Sequence, residues 1–185
     1  TFAVPISLLP PSLERTITCA YLLCRIADTI EDAEDWTEQT RDQLFREFLD
    51  VLTGQKDAVE FVSAVRRAGA APEERDLLIQ IGRVLHIFGQ TPDRLREVCN
   101  SWIAELTLGM IIYARRRPGP DGVRCLLSEP DLDRYCYFVA GTIGHLLTET
   151  FVSELDGMSA QQVLCLRENA ERFGTGLQLV NVLRG

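Results

Sequence analysis

Lysine is nearly missing from this chain: Lys56 is the only one among 185 residues, so arginine supplies almost all of the positive charge. Basic side chains number 19 against 27 acidic ones, a formal net charge of -8. That balance argues against a nucleic-acid surface and is compatible with carboxylates that bind cations. The guanidinium groups that are present suit bidentate contact with phosphate oxygens. No Cys-x-x-Cys pair occurs among Cys19, Cys24, Cys99, Cys125, Cys136 and Cys165. Most of them fall in what reads as helix interior, so small core residues in a reducing compartment are expected rather than a disulfide framework or a zinc site. Long apolar runs are also missing. The longest, near residues 137–147, is interrupted by His145 and is too short to span a bilayer, and no basic-then-apolar leader opens the chain. A cytoplasmic, soluble protein is expected, with contact to a membrane surface at most.

No stretch alternates in polarity long enough to suggest a sheet, and no internal repeat has a fixed period. The expected class is all-α, and 46% hydrophobic residues suffice for one core. A single helical domain over residues 1–185 is expected. Thr1 in place of Met and a last helix still running at Gly185 suggest a chain cut at both ends. Helix punctuation predicts a helix from Pro11 to Asp32, and a second from Thr37 or Thr40 to Gly54 that buries Leu44, Phe45, Phe48, Leu49 and Leu52 on one face. A third covers Ala58 to Arg67. Pro72, Glu73 and Glu74 open a fourth that closes at Gly89, and Thr91-Pro92-Asp93 opens a fifth that runs to Arg117. After a linker begun by Pro118-Gly119-Pro120, helices are expected from Asp131 to Glu154 and from Ser159 onward, with Gly157 between them. His86, His145, Trp102 and Met110 read as core or helix-surface residues.

The first long helix is apolar nearly all round, yet Tyr21, Arg25, Asp28 and Asp32 recur at i, i+4, i+7 and i+11. At about 100° per residue they share a band roughly 60° wide. Asp28, Glu31, Asp32, Glu34 and Asp35 crowd the C-terminal end, where the helix dipole disfavours carboxylates by about 0.3–1 kcal/mol each. A divalent cation would offset this. Magnesium suits two carboxylates at i and i+4, completed by water and phosphate oxygens. Arg25, one turn earlier, could hold the same phosphate by charge-assisted hydrogen bonds.

The run from Ala20 to Asp32 (Ala-Tyr-Leu-Leu-Cys-Arg-Ile-Ala-Asp-Thr-Ile-Glu-Asp) resembles the first aspartate-rich motif of squalene and phytoene synthases, with its Tyr-x-x-x-Arg-x-x-Asp-x-x-x-Asp core. Thr1-Phe2-Ala3 is similar to the end of that family's Ser-Arg-Ser/Thr-Phe opening. Arg134-Tyr135-Cys136-Tyr137-Phe138-Val139-Ala140-Gly141 resembles its Tyr-Cys-x-Tyr-Val-Ala-Gly block. Gly141 and Gly144 each cost a helix interior about 1 kcal/mol, so they should serve close approach, either of another helix or of an isoprenoid tail. Gln178, Asn181 and Arg184 resemble the family's Gln-x-x-Asn-x-x-Arg-Asp motif, except that Gly185 stands where aspartate is usual; either the second half of the site is incomplete or residues near Gly185 are omitted from the sequence, and the omission is the preferred reading.

The resemblance implies an all-α isoprenoid-synthase bundle around a central cavity, in which the stripe of the first helix faces Gln178 and Asn181. It implies catalytic roles for Tyr135, Arg25 and Tyr21, magnesium at Asp28, Asp32 and Asn181, and substrate contacts from Phe2, Arg25, Gln178, Asn181, Arg184, Val139 and Gly141. Tyr137, two positions beyond Tyr135, points elsewhere and is not expected to be the catalytic phenol. The implied reaction is a head-to-head condensation of two prenyl diphosphates by a monomer. Farnesyl diphosphate giving squalene with NADPH is the first choice, and phytoene or dehydrosqualene without NADPH the second. From a different class, a catalytically inactive helical subunit that binds a partner or lipid is the remaining alternative, with Gly185 as its only support.

Overall fold

The computed structural model describes residues 2–33, 35–69, 72–116 and 126–184, so the expectations for Thr1, Glu34, Arg117, most of the linker begun by Pro118, Cys125 and Gly185 lie outside the described residues. The helices are α1 (Ala3–Ser7), α2 (Pro11–Asp32), α3 (Glu38–Leu52), α4 (Ala58–Ala68), α5 (Pro72–Ile79), α6 (Ile81–Phe88), α7 (Asp93–Ala114), α8 (Glu129–Cys136), α9 (Thr142–Glu154) and α10 (Ala160–Arg184), with a π-helical segment, Tyr137–Gly141, between α8 and α9. No strand occurs among the described residues.

Local chemistry starts and stops most of these elements. Thr37 Oγ1 accepts a bond from the Thr40 amide at 3.1 Å, and Asp57 Oδ1 one from Val59 at 2.8 Å, so each N-cap satisfies an amide that the helix leaves unpaired. Ser159 and Gln162 exchange side-chain to backbone bonds at 2.8 and 3.3 Å, a capping box at the head of α10. Gly69 follows α4 at φ +71° and Gly157 separates α9 from α10 at φ +85°, a backbone region that glycine enters without strain.

Three departures from the sequence reading have local causes. The helix expected from Pro72 to Gly89 breaks at Gln80, whose amide bonds the Leu77 carbonyl three residues back at 3.1 Å. This tight turn re-aims the run Leu77 to Ile81 so that both Leu78 and Ile81 are fully buried. The helix expected from Asp131 to Glu154 starts two residues earlier and is interrupted by the π-helical segment, which starts two residues after Tyr135. Finally, the short α1 was not foreseen; Pro5 sits in its first turn, where its missing amide hydrogen costs nothing.

The core gathers around α2, which packs against α7, α6, α3, α5 and α9. Leu23, Ile26, Ala27 and Ile30 of α2 meet Phe45 and Phe48 of α3, Phe61 of α4, Ile81 of α6 and Ile103 of α7 in one buried cluster. Each large side chain withdrawn from water in this way contributes about 1.5–3 kcal/mol. α10 is attached differently, lying on α9, the π-helical segment and α8. A Cβ placed on Gly144 would stand 2.0 Å from the Ala170 carbonyl oxygen, and one on Gly174 would stand 2.0 Å from that of Ala140. Of the two uses weighed for the glycines of this block, Gly144 serves the approach of another helix.

Candidate active site

Because α2 is buried on its other faces, its polar stripe emerges as a bounded surface rather than a general solvated side. Arg25 Nη1 donates to Asp28 Oδ2 at 2.9 Å, and the pair is only partly exposed. Burial pushes the Asp28 carboxyl above its ordinary pKa, Arg25 works against that, and the like charge of Asp32 adds to it. Tyr21 meets the ring of Phe2 edge-on at 6.3 Å, which carries the N-terminal segment over the start of the stripe.

Tyr135 lies at the far end of the same stripe. Burial raises its phenol above the usual pKa first, and the negative charges of Glu31, Asp32 and Asp28 contribute as well, so the Arg134–Gly141 block lies within electrostatic reach of the acidic end of α2. Tyr137 has different surroundings: its phenol is raised by burial and by Glu105 and Glu171, which sit on α7 and α10. The two tyrosines, two residues apart, therefore look onto different acids. Val139 is half-buried. Gly141 is buried, and a Cβ there would meet Tyr137, Glu171 and Thr175 at 3.1–3.4 Å.

Gln178 and Asn181 bond each other, Asn181 Nδ2 donating to Gln178 Oε1 at 3.4 Å. Gln178 is half-buried, while Asn181 and Arg184 are exposed on the last turns of α10. His145 stacks on Trp102 with ring centres 4.5 Å apart and lies 3.7 Å from Glu171, in agreement with a packing residue. A cleft of about 630 Å³ runs along the N-terminal half of α2 against α5 and α6, with Arg15, Leu22, Arg83 and Ile87 in its walls, apart from the acidic end.

One group next to Tyr135 was not legible in the sequence as part of a site. Asp131 forms a two-pronged ion pair with Arg116 and accepts the Leu127 amide at 2.8 Å. Tyr113 Oη lies 3.0 Å from the Asp131 carbonyl oxygen and 3.1 Å from Oδ1, and donates to this pair of acceptors. The Arg116 guanidinium covers the Tyr113 ring at 4.1 Å. The guanidinium, helped by the Leu127 amide, holds the Asp131 carboxyl well below the ordinary carboxylate range. The only sequence signal was a run of arginines at the end of α7 with an acid fifteen residues later.

Asp28 and Asp32 fit magnesium by the chemistry of their oxygens and by their electrostatics. They are carboxylates one turn apart at the negative end of a helix dipole, and Asp28 is burdened by burial and by its neighbour's charge. Among the described residues no cluster of three or more acidic, cysteine or histidine side chains is arranged to hold a metal. Magnesium does not need one, since one or two carboxylates with water and substrate oxygens suffice.

The whole chain, residues 1–185, matches the squalene/phytoene synthase family. It is 27% identical over 184 residues to squalene synthase BSS of Botryococcus braunii and 26% identical over 185 residues to the squalene synthase of Schizosaccharomyces pombe. All of this chain is covered in both alignments, but only 36% and 38% of those relatives, so it spans little more than a third of their length. The structure of TcSQS in complex with the ligand E5700 superposes with a TM-score of 0.74 at 24% identity, covering 100% of this chain and 49% of that one, and so shares its helical fold. With the family's match running from end to end over an all-helical fold of the same kind, the chain belongs to the squalene/phytoene synthase family.

Proposed function

We propose that the protein joins two farnesyl diphosphates head to head, through a cyclopropylcarbinyl (presqualene) diphosphate, to give squalene. The observation that carries this reading is the half-buried phenol of Tyr135 within electrostatic reach of Glu31, Asp32 and Asp28. Family membership and the fit of the two aspartates to magnesium support it further.

In the first half-reaction the C–O bond of one substrate breaks and both electrons leave on the diphosphate. The double bond of the second substrate attacks the allylic cation, and loss of a proton closes the cyclopropane, with the departing diphosphate as the base at hand. Arg25, Gln178, Asn181 and Arg184 hold the diphosphates by charge-assisted and amide hydrogen bonds. Asp28 and Asp32, together with Asn181, would hold magnesium, which when bound supplies Lewis-acid neutralisation of the leaving group. Tyr135, with its pKa raised, stays protonated at neutral pH and donates to the departing diphosphate, while its ring face stabilises the cation. Tyr21, Phe2, Val139 and Gly141 exclude water from the cation.

The protein acts in this reading as a single-domain monomer in the cytoplasm that releases its hydrocarbon to a membrane surface. Among the described residues no helix is long and apolar enough to cross a bilayer. The test is to incubate full-length protein with farnesyl or geranylgeranyl diphosphate, with and without NADPH, and identify the hydrocarbon. Squalene formed only with NADPH is the expected result. Phytoene or dehydrosqualene formed without it would move the assignment to the carotenoid branch. Neither hydrocarbon nor cyclopropylcarbinyl diphosphate would favour a non-catalytic subunit.

A further inference from the structure

Tyr135 occupies the last turn of α8, just before the backbone changes to π-helical hydrogen bonding. Asp131 lies four residues earlier, one turn along the same face. Tyr113, buried in the last turn of α7, meets both: its hydroxyl donates to Asp131, and its ring stands edge-on to the ring of Tyr135 with centres 5.1 Å apart and planes at 70°. This is the one aromatic contact of Tyr135 among the described residues. Tyr113 is itself fixed, because Arg116 covers its ring at 4.1 Å while ion-pairing with Asp131. α7 is in turn anchored in the core by Cys99, Ile103, Leu106 and Met110.

We infer that Tyr113, clamped by Arg116 and Asp131, is a positioning residue that fixes the ring of Tyr135 so that its hydroxyl is directed at the acidic end of α2. The inference rests on the catalytic reading of Tyr135 given above. A clip that merely joined α7 to α8 would need only the Arg116–Asp131 pair. The added ring contact falls on Tyr135, an α8 side chain whose phenol feels the charges of Glu31, Asp32 and Asp28. An edge-to-face contact restrains the tilt of an aromatic ring, and a misplacement of about 1 Å in a reacting group can cost up to 10²-fold in rate.

The experiment uses the full-length protein with Tyr113→Leu and Tyr113→Phe, each made in the parent and in a Tyr135→Phe background. Turnover and KM for farnesyl diphosphate are measured together with thermal unfolding. Tyr113→Leu is expected to lower kcat about tenfold with KM changed less than about twofold, and Tyr113→Phe, which keeps the ring, to lower it less than about threefold. Both losses are expected to vanish once Tyr135 is already phenylalanine, because the two residues act as one unit. Equal losses in the two backgrounds would overturn the inference and leave Tyr113 a structural residue. A second readout does not depend on activity: with 3-fluorotyrosine incorporated, the fluorine signal of Tyr135, identified by its disappearance in Tyr135→Phe, should shift and broaden in Tyr113→Leu. An unchanged signal overturns the positioning role even if the parent proves inactive, whereas a moved signal with full turnover in Tyr135→Phe overturns only the catalytic reading of Tyr135. Should Tyr113→Leu fail to fold, Tyr113→Met, which likewise removes the ring, carries the same comparison, and the absence of any change in its Tyr135 signal or turnover counts against the inference.

Discussion

The two helices that carry the polar motifs are held in opposite ways. α2 buries ten residues and is enclosed by its neighbours, so the stripe from Tyr21 to Asp32 is presented by a helix packed into the core. α10 is longer, at 25 residues, yet buries only Ala170 and Gly174. Leu177, Val180 and Leu183 on its last turns are 50%, 49% and 86% exposed, beside Gln178 and Asn181. Its attachment depends on backbone contact at two glycines and on Arg167, which pairs with Glu149 of α9 at 2.7 and 2.8 Å. One of the two motif-bearing helices is therefore fixed by a core, and the other by a crossing with no side chain between the backbones. Changes at the first should alter chemistry while sparing the fold, and changes at the second should do the reverse.

The largest effect is expected at the enclosed helix. Asp28→Asn and Asp32→Asn should each lower turnover by about 10²-fold or more, because on the proposed reading each removes a charge needed only when metal and diphosphate are bound. Helicity should be unchanged. In the metal-free protein the variants should be as stable as the parent or slightly more so, since Asp28 is penalised by burial and by its neighbour's charge. Product assays across a magnesium series, with circular dichroism on the same samples, check both halves; full turnover in both variants at limiting magnesium would remove the metal assignment. Tyr135→Phe comes next, with a turnover loss of about 10²-fold and little change in substrate affinity or stability. If that tyrosine served only the fold, the variant would instead melt earlier by an amount matching a lost hydrogen bond, about 1 kcal/mol, and keep its turnover.

What could be read in the sequence follows from the same contrast. The stripe on α2 is a matter of spacing within one helix, so Tyr21, Arg25, Asp28 and Asp32 were legible without any knowledge of the neighbours. Prolines, caps and glycines likewise announced the starts of α2, α3, α7 and α10, because those signals act over three or four residues. The π-helical segment was not legible. It accompanies Phe138 packing onto α7, where a Cβ on Gly109 would lie 2.3 Å from Phe138 Cβ, a contact across almost thirty residues of chain. The break at Gln80 was missed because five successive mostly apolar residues fit a continuous buried helix as well as two short ones. Tyr113, Arg116 and Asp131 stand on either side of a linker, and nothing local to any of them indicates that they meet.

At the crossing, Gly144→Ala and Gly174→Ala are expected to cost about 1–3 kcal/mol each, because the new methyl would collide with a backbone carbonyl that cannot turn aside. The gain of about 1 kcal/mol that alanine normally brings to a helix interior is too small to reverse this. Turnover should fall only as far as α10, and with it Gln178 and Asn181, is displaced. Urea unfolding gives the stability change through its midpoint, with an unchanged slope marking an intact two-state transition. Stability equal to the parent in both variants would mean that α10 does not sit on α9 at this distance.

The smallest effect has the opposite sign and comes from a glycine only two residues away. Gly176 also lies inside α10, but it is exposed, and a Cβ built on it meets no atom within 4 Å. Only the backbone then decides the outcome: glycine loses more conformational freedom on entering a helix than alanine, so Gly176→Ala should raise stability by about 0.5–1 kcal/mol. Set beside Gly174→Ala, this is one chemical change, one helix and one turn, differing only in whether a partner backbone lies against the position. The urea midpoint should move up for Gly176→Ala and down for Gly174→Ala, with turnover unaffected by Gly176→Ala. A loss of stability or turnover in Gly176→Ala, measured on full-length protein, would mean that another part of the molecule packs closely on this side of α10, and the contrast between an enclosed α2 and an open α10 would then fail.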